Sequence, residues 1–212
     1  MSNHIICIGD VHGHTANYKQ KLKEKFANDR TIQLGDMGVG FSRNPDGISP
    51  MEPQHRWLRG NHDNPEIARR HPNYLGEYGY LTEDDLFFIS GAFSIDYMMR
   101  VPGRSWWYDE ELSQEELYHA IDLYMEKKPK YVVSHEAPSE AAQYLLTSLG
   151  GFRPEKLDCA TSRTSSALQA MFNIHKPKEW IFGHYHINKS FEWRGTKFTC
   201  VDELDSYRLE LT

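Results

Sequence analysis

Cysteine is scarce in this chain of 212 residues, which contains three, at Cys7, Cys159 and Cys200. An odd number of cysteines without metal-site spacing argues against a disulfide framework and against a thiolate metal site. Cys7 and Cys200 lie in apolar, strand-like runs, where a small core residue is the simpler interpretation. We therefore expect a reducing, cytoplasmic location without disulfides.

Long apolar runs are also missing. The run at residues 5–8 is too short for a signal-peptide core or a membrane span, so we expect no membrane association. No internal repeat, low-complexity tract or linker interrupts the chain. Because the length suits one compact unit with its own core, we predict a single domain over residues 1–212.

An excess of basic residues is the third absence. The formal net charge is −6, which argues against a broad basic surface for long nucleic acid. The composition, 39% hydrophobic and 25% charged, is typical of a globular protein. The sequence leaves the oligomeric state open.

Short apolar runs alternate with helical patterns and then dominate the end of the chain. We predict strands at residues 4–9, 31–34, 55–59, 86–90, 92–95, 131–133, 180–182, 189–193, 197–201 and 207–211. Helices are predicted at residues 15–26, 113–127, 139–149 and 163–173, with Thr15 capping the first and a Ser113/Glu116 capping box opening the second. This order predicts an α/β fold in which two sheets pack face to face with helices outside.

Histidine is abundant, with 11 copies, and several stand in short motifs that follow predicted strands. The motifs are Gly9-Asp10-Val11-His12-Gly13, Gly35-Asp36, Gly60-Asn61-His62-Asp63, Ser134-His135 and Gly183-His184-Tyr185-His186. Ligands bind at the carboxyl ends of strands in α/β sheets, so we expect these segments to converge on one site.

The motifs offer carboxylate, imidazole and amide ligands: Asp10, His12, Asp36, Asn61, His135, His184 and His186. Such groups suit Mn²⁺, Fe or Zn²⁺ rather than a structural cysteine site. Two ions that share one bridging carboxylate would each receive four protein ligands. Positions would then stay open for water, as catalysis requires.

Taken in this order, the motifs resemble the signature of the calcineurin-like metallophosphoesterase superfamily: Asp-x-His, Gly-Asp, Gly-Asn-His-Asp/Glu, His and Gly-His-x-His. The segment at residues 91–107 also resembles a pattern in small bacterial and phage members. The resemblance implies a four-layer αββα sandwich of two mixed β-sheets flanked by helices. It also implies a ligand set: Asp10, His12 and His186 for one metal, Asn61, His135 and His184 for the other, and Asp36 between them.

The chemistry that the resemblance implies is that of a metal-dependent phosphoric ester hydrolase, a phosphodiesterase or phosphatase. A metal-bridged hydroxide would attack phosphorus. His62 would stabilise the transition state or protonate the leaving oxygen, with Asp63 orienting its ring. The cofactors would be two divalent ions, with Mn²⁺ favoured and Fe, Zn²⁺ or Ni²⁺ compatible with the same ligands.

The substrate class stays open at this point. The second motif lacks the Asp-Arg pair that usually follows Gly-Asp in the protein-phosphatase branch, whereas the Gly-His-x-His ending is similar to the nuclease and cyclic-nucleotide branches. We expect a phosphate ester such as a nucleotide or short single-stranded nucleic acid. The alternatives are a nuclease acting on DNA or RNA, a serine/threonine-type protein phosphatase, and a non-catalytic metal-binding module.

Further side chains are candidates for binding the substrate: Arg59, His14, Arg100, Arg104 and Arg163. Arginine suits phosphate, and the aromatic residues near Arg100 suit a planar group. The alternative for residues 100–107 is an ordered loop that packs Trp106 and Trp107 into the core. For Arg163 the alternative is a helix N-terminus capped by its neighbours.

Overall fold

The computed structural model of the protein describes residues 3–41, 44, 47–149 and 162–212. Helices α1 to α5 span Thr15–Lys25, Pro65–Arg70, Gln114–Lys127, Ser139–Thr147 and Arg163–Ile174. Strands β1 to β10 span His4–Ile8, Thr31–Gln33, His55–Trp57, Tyr78–Leu81, Leu86–Ile89, Tyr131–Ser134, Glu179–Phe182, Lys189–Trp193, Thr196–Cys200 and Ser206–Glu210. Cys159, which the sequence analysis considered, lies outside the described residues.

The strands form two mixed sheets. One has the order β10-β1-β2-β3, with β1, β2 and β3 parallel and β10 antiparallel to β1. The other has the order β4-β5-β6-β7-β9-β8, in which β5, β6, β7 and β9 run parallel and the edge strands run antiparallel. The carboxyl ends of the parallel strands therefore lie together along one edge of each sheet.

Alternating side chains of the strands fill three apolar layers. In β1, Ile5 and Cys7 join the cluster between the two sheets, whereas Ile6 and Ile8 pack with Tyr18 of α1. Strands β5, β6 and β7 likewise divide their side chains between the other sheet and the layer of α3, α4 and α5. The resulting order of helices, sheet, sheet and helices confirms the predicted four-layer αββα sandwich.

The two described cysteines are free and buried, as predicted for small core residues. Cys7 lies between the sheets, and Cys200 lies at the end of β9 in the layer that packs against the helices. Burial raises the pKa of both thiols well above the usual range, because the apolar surroundings disfavour the thiolate. Both groups are therefore inert packing residues.

The strand predicted at residues 92–95 is wrong. Strand β5 ends at Ile89 with β4 and β6 already on either side, and the chain then turns at Gly91, whose φ is 88°. The backbone N–H of Ser94 donates to Oε1 of Glu110 at 2.7 Å. A buried side chain, and not a neighbouring strand, therefore satisfies this stretch of backbone.

Helix ends follow the sequence signals in part. The capping box of Ser113 and Glu116 is present at the start of α3. Thr15 does not cap α1, because it is already the first helical residue. Helix α2 was not predicted, although Asn64 caps it and Pro65 opens it, which is a readable signal.

No helix in the described ranges combines the length and apolarity that a bilayer crossing needs.

The layer between the sheets predicts a stability difference between two isoleucines. Replacing Ile181, which is fully buried in that layer, by alanine should lower the free energy of unfolding by about 2–5 kcal/mol, because a cavity remains. Ile174→Ala, at the exposed end of α5, should change it by about 0.5 kcal/mol or less. Urea unfolding of both variants measures this, and equal losses would contradict the assigned layers.

Candidate metal centre

The predicted ligands lie where parallel strands end. Asp10, Asp36 and Asn61 follow β1, β2 and β3 of the first sheet, and His135 and His184 follow β6 and β7 of the second. Because the sheets pack face to face, these ends meet at a common edge. Among the described residues, the groups with ligand atoms close enough to hold a metal ion are Asp10/His12/His186, His12/Asp36/His62 and Asp36/His135/His184.

The first group joins one carboxylate to two imidazoles. Asp10 Oδ2 lies 3.0 Å from His186 Nε2 and 3.6 Å from His12 Nε2, and the two imidazole nitrogens lie 2.8 Å apart. Asp10 is completely buried, whereas nearly half of the His186 side chain is exposed. The group therefore has a buried anionic floor and an open side that a substrate can reach.

The second group surrounds His135, which is completely buried. Its Nδ1 donates to the carbonyl of Leu34 at 2.7 Å, which leaves Nε2 as the ligand atom. Nε2 lies 3.3 Å from Asp36 Oδ1 and 3.3 Å from Asn61 Oδ1. Carbonyl, carboxylate and imidazole atoms thus converge on one point, with His184 completing the group.

Asp36 belongs to both sides of the site. Its Oδ2 lies 3.8 Å from His12 Nε2, and its Oδ1 faces His135 and accepts a hydrogen bond from the backbone N–H of His62 at 2.7 Å. This shared position is the one that a bridging carboxylate requires.

A divalent cation fits this donor set. Asp10 Oδ2 is buried and makes no well-aligned hydrogen bond among the described residues, although His186 Nε2 lies 3.0 Å away and a buried carboxylate oxygen normally has a donor. Two imidazole nitrogens point at each other across 2.8 Å, where only one of them can carry the proton between them. Carboxylate, imidazole and amide donors without thiolate suit the borderline and hard divalent metals.

Four of the candidate ligands hold a left-handed backbone conformation that side chains other than glycine seldom adopt. Their φ angles are 47° at His12, 55° at Asp36, 68° at His184 and 50° at His186. Such conformations cost on the order of 1–3 kcal/mol each, so the surrounding structure must enforce them. The backbone therefore turns at each of these four residues.

The glycines of the motifs provide the space for these turns. A Cβ atom on Gly35 would lie 2.5 Å from Nδ1 of His135, and a Cβ atom on Gly60 would collide with Asp36. On Gly183 it would collide with Asp10. Glycine is therefore required beside the ligands because the backbone itself packs against their side chains.

The charges of the site are balanced internally. Burial alone would raise the pKa of Asp10, but His12 and His186 lower it to about 2. Burial opposes a charge on His135, but Asp36 and Asp10 outweigh it and raise the pKa of His135 to about 10. In the absence of cations the imidazoles therefore carry the positive charge that the buried carboxylates need.

His62 lies beside the site and pairs with Arg100, whose Nη2 is 2.9 Å from His62 Nε2. A guanidinium group can only donate, so Nε2 of His62 is the acceptor and the ring is neutral. Burial, with Arg100 adding to it, lowers the pKa of His62 to about 4. Arg100 also pairs with Asp96 at 2.7 Å.

Asp63 does not orient the ring of His62, which corrects the expected role. Both of its oxygens are taken by backbone N–H groups: Oδ1 accepts from Gly38 and Val39, and Oδ2 accepts from Gly60 and, at 3.2 Å, from Met37. Burial raises the pKa of Asp63 to about 6. The side chain therefore ties the second motif to the third and acts on their backbone.

The other substrate-binding candidates do not belong to the three groups of ligand atoms. Arg59 is fully buried and bound to Glu77 and to the carbonyl of Glu110, so its guanidinium serves the fold. His14 is exposed, 3.7 Å from Glu203. Arg104 is exposed on the loop after Tyr97–Met99, and Arg163 donates to the carbonyl of Leu112 at the start of α5.

Sequence reasoning missed three polar residues around the ligands. Ser94 accepts a hydrogen bond from Asn61 Nδ2 at 3.1 Å and donates to Glu110 at 2.6 Å. Burial raises the pKa of Glu110 to about 7. Glu136 Oε2 lies 3.6 Å from Nε2 of His184. Only Glu136 carried a readable signal, since it directly follows His135.

A cavity of about 570 Å³ opens beside the cluster. Asp36, Asn61, His62, His184 and His186 line one side of it. The remaining wall combines apolar side chains with a few polar ones: Phe93, Ile95, Leu146, Tyr185, Asp96, Arg100, Glu136, Ser162 and Ser165. Such a mixture is typical of sites for small molecules.

The sequence profile described as "Calcineurin-like phosphoesterase" matches residues 4–188 of the chain. No curated protein sequence matches it. Similar solved structures include a predicted phosphoesterase of Streptococcus pneumoniae, with 12% identity, 97% of this chain and 81% of that chain covered and a TM-score of 0.42. A phosphopantetheinyl hydrolase of Mycobacterium tuberculosis has 12% identity, coverages of 94% and 89% and a TM-score of 0.45.

The shared position of Asp36 predicts that metal stabilises the wild-type protein far more than an Asp36→Asn variant. At a Mn²⁺ concentration about 100-fold above the Kd, binding should raise the free energy of unfolding by about 2.7 kcal/mol. The variant should lose most of that increase, because an amide carries no charge for the cations. Chemical unfolding with and without Mn²⁺ measures the difference.

Asp122→Asn, an exposed carboxylate on α3, is the matched control and should keep the full effect of Mn²⁺. Equal stabilisation of Asp36→Asn and wild type would mean that Asp36 is not a ligand.

Proposed function

The chain belongs to the calcineurin-like phosphoesterase family, and from this premise we propose that it is a hydrolase of small phosphate esters that works with two divalent cations. The observation that carries the proposal is the position of Asp36 between the Asp10/His12/His186 group and the His135/His184 group. Asp10, His12 and His186 would hold one cation, and Asn61, His135 and His184 the other. Mn²⁺ is the cation that we propose first, because the donors are nitrogen and oxygen atoms.

When bound, the two cations would polarise the phosphate and lower the pKa of a water molecule. The protein supplies the rest of the chemistry. Asp10 and Asp36 provide the negative charge that concentrates cations at the strand ends. His12 and His186, which are partly exposed, form the rim over which the phosphate group enters.

Arg100 is the residue that we assign to the phosphate. Arg100 lines the cavity together with Asn61 and His62, and its Nη1 is buried and lacks a hydrogen-bond partner among the described residues. A guanidinium group in this position donates to a phosphate oxygen and offsets its developing charge.

His62, as the acceptor of a hydrogen bond from Arg100, holds the guanidinium in place and has no proton to give from Nε2. This arrangement supports electrostatic stabilisation of the transition state over general-acid catalysis by His62.

The size and lining of the cavity support a small substrate. Pockets of roughly 300–1,000 Å³ bind small molecules, and this one holds about 570 Å³ with apolar and aromatic walls. Phe93 and Tyr185 both line the cavity, and aromatic side chains suit a planar organic group such as a nucleobase. A net charge of −6 gives little attraction for long nucleic acid, so we place a nucleotide-like phosphodiester or monoester ahead of a nuclease substrate.

The first test is turnover of bis-p-nitrophenyl phosphate and p-nitrophenyl phosphate by metal-stripped protein reloaded with Mn²⁺. We expect metal-dependent release of p-nitrophenol that Asp36→Asn abolishes and His62→Ala reduces. Preference for the diester would favour nucleotide diesters, and preference for the monoester would favour a phosphatase. Two bound cations without turnover of these esters or of a nucleotide panel would refute the proposal.

Arg100→Ala should lower kcat/KM by roughly tenfold to a hundredfold, because a hydrogen bond to a charged group is worth about 1.5–3 kcal/mol. Arg100→Lys should recover part of the loss, since an ammonium group keeps the charge but not the planar fork. Steady-state kinetics on the preferred p-nitrophenyl ester measure both variants.

The control for these two variants is Arg70→Ala, an exposed arginine that pairs with Glu66 on α2. Its kcat/KM should equal that of the wild type. An unchanged kcat/KM in Arg100→Ala would show that Arg100 does not contact the phosphate.

A further inference from the structure

A buried chain of hydrogen bonds leads away from the amide of Asn61. Asn61 Nδ2 donates to Ser94 Oγ at 3.1 Å, and Ser94 Oγ donates to Glu110 Oε2 at 2.6 Å. Asn61, Ser94 and Glu110 are all nearly inaccessible to solvent, with at most 3% of each residue exposed. Water therefore has no access to compete for either hydrogen bond.

The direction of these bonds follows from the chemistry of the groups. When Glu110 is ionised its carboxylate only accepts, so the single hydrogen of Ser94 Oγ then points to Glu110. The lone pairs of Ser94 Oγ are then left to accept from Asn61. If the amide of Asn61 were turned over, its oxygen would face a hydroxyl oxygen that has no hydrogen left to give. The amide is therefore held with Nδ2 toward Ser94.

The opposite end of the same amide is the one that matters for a metal. With Nδ2 held by Ser94, Asn61 Oδ1 faces His135 Nε2 at 3.3 Å, on the side of Asp36. Only the oxygen of an amide can ligate a cation, since its nitrogen has no free lone pair. The orientation of Asn61 thus decides whether this position offers a ligand atom or two N–H groups.

Two residues, Ser94 and Arg59, hold Glu110 in place. Its Oε1 accepts from the backbone N–H of Ser94 at 2.7 Å, so both carboxylate oxygens grip the same residue. Its carbonyl oxygen accepts from Nη1 of the buried Arg59, and the carbonyl of Arg59 accepts from the backbone N–H of Gly91. Arg59 therefore connects the segment that follows β5 to the third motif through hydrogen bonds at both Gly91 and Glu110.

We propose that Ser94 and Glu110 are positioning residues for the metal centre, which set the amide of Asn61 so that its oxygen faces the cation. The inference rests on the proposed function for the identity of the site, but it concerns metal affinity and not turnover. Partners that orient a ligand typically change metal affinity by about 10–100-fold when they are removed.

The test is titration of the metal-stripped protein with Mn²⁺ by calorimetry, at mildly alkaline pH, where Glu110 is ionised. Ser94→Ala should weaken one of the two binding steps by roughly 10–100-fold and leave the other unchanged, because Asn61 belongs to one group only. Glu110→Gln, which keeps the volume and one acceptor oxygen, should weaken the same step by less.

Ser90→Ala is the matched control for the loss of a buried hydroxyl. Ser90 directly follows β5, four positions before Ser94, and its Oγ donates to the carbonyl of Gly76 and accepts from the backbone N–H of Arg59. This variant should lose folding stability without a change in either Mn²⁺ affinity. A second readout is exchange of the side-chain amide protons of Asn61, which should be faster in Ser94→Ala than in Ser90→Ala.

Three outcomes would overturn the inference: unchanged Mn²⁺ affinity in Ser94→Ala, an equal loss of affinity in Ser90→Ala, or no Mn²⁺ binding by the wild type. The last would remove the metal centre and the proposed function together. If the protein binds Mn²⁺ and Ser94→Ala shows the expected loss of Mn²⁺ affinity, but no phosphate ester is hydrolysed, the proposed function is refuted and this inference is retained.

Discussion

The burial of two carboxylates, Asp10 and Asp36, is the constraint on which the rest of the site depends. Both are almost completely inaccessible to solvent, and an unpaired charge in such a position costs several kcal/mol. Each carboxylate therefore accepts a backbone hydrogen bond, from His184 to Asp10 and from His62 to Asp36, and has imidazoles around it. The Oδ2 atom of Asp10 has no such backbone donor, and a cation bound beside it would complete the balance that the imidazoles provide.

The two-sheet architecture solves the problem of bringing these charges together. Parallel strands end at one edge of each sheet, so residues far apart in sequence meet when the sheets pack face to face. The segment between β5 and α3 then joins the site to the fold. Ser94 of this segment contacts Asn61 and Arg100 contacts His62, so it holds two consecutive residues of the third motif.

The sequence was sufficient to predict which side chains meet at the strand ends, because each motif follows an apolar strand whose end is fixed by its pattern. It was not sufficient to predict what Asp63 and Arg59 contact. Each stands two positions from Asn61 in sequence, yet the side chain of Asp63 binds backbone N–H groups and that of Arg59 binds Glu77. Burial in the folded protein decides what these two side chains contact, and the spacing of residues in the sequence does not show which side chains become buried. The same holds for residues 92–95, whose apolar character predicts a strand although a glutamate satisfies the backbone.

The second motif lacks an Asp-Arg pair, and the structure shows which residues stand there and where an arginine is found instead. The turn after Asp36 is formed by Met37, Gly38 and Val39, whose N–H groups bind Asp63, and none of these three residues is an arginine. The guanidinium beside His62 comes instead from Arg100. Arg100 itself contacts Asp96, His62 and the ring of Phe41, whereas its neighbours Met98 and Met99 are more than 80% exposed. If a phosphate group binds here as we propose, the unpartnered Nη1 of Arg100 is the N–H group left to donate to it.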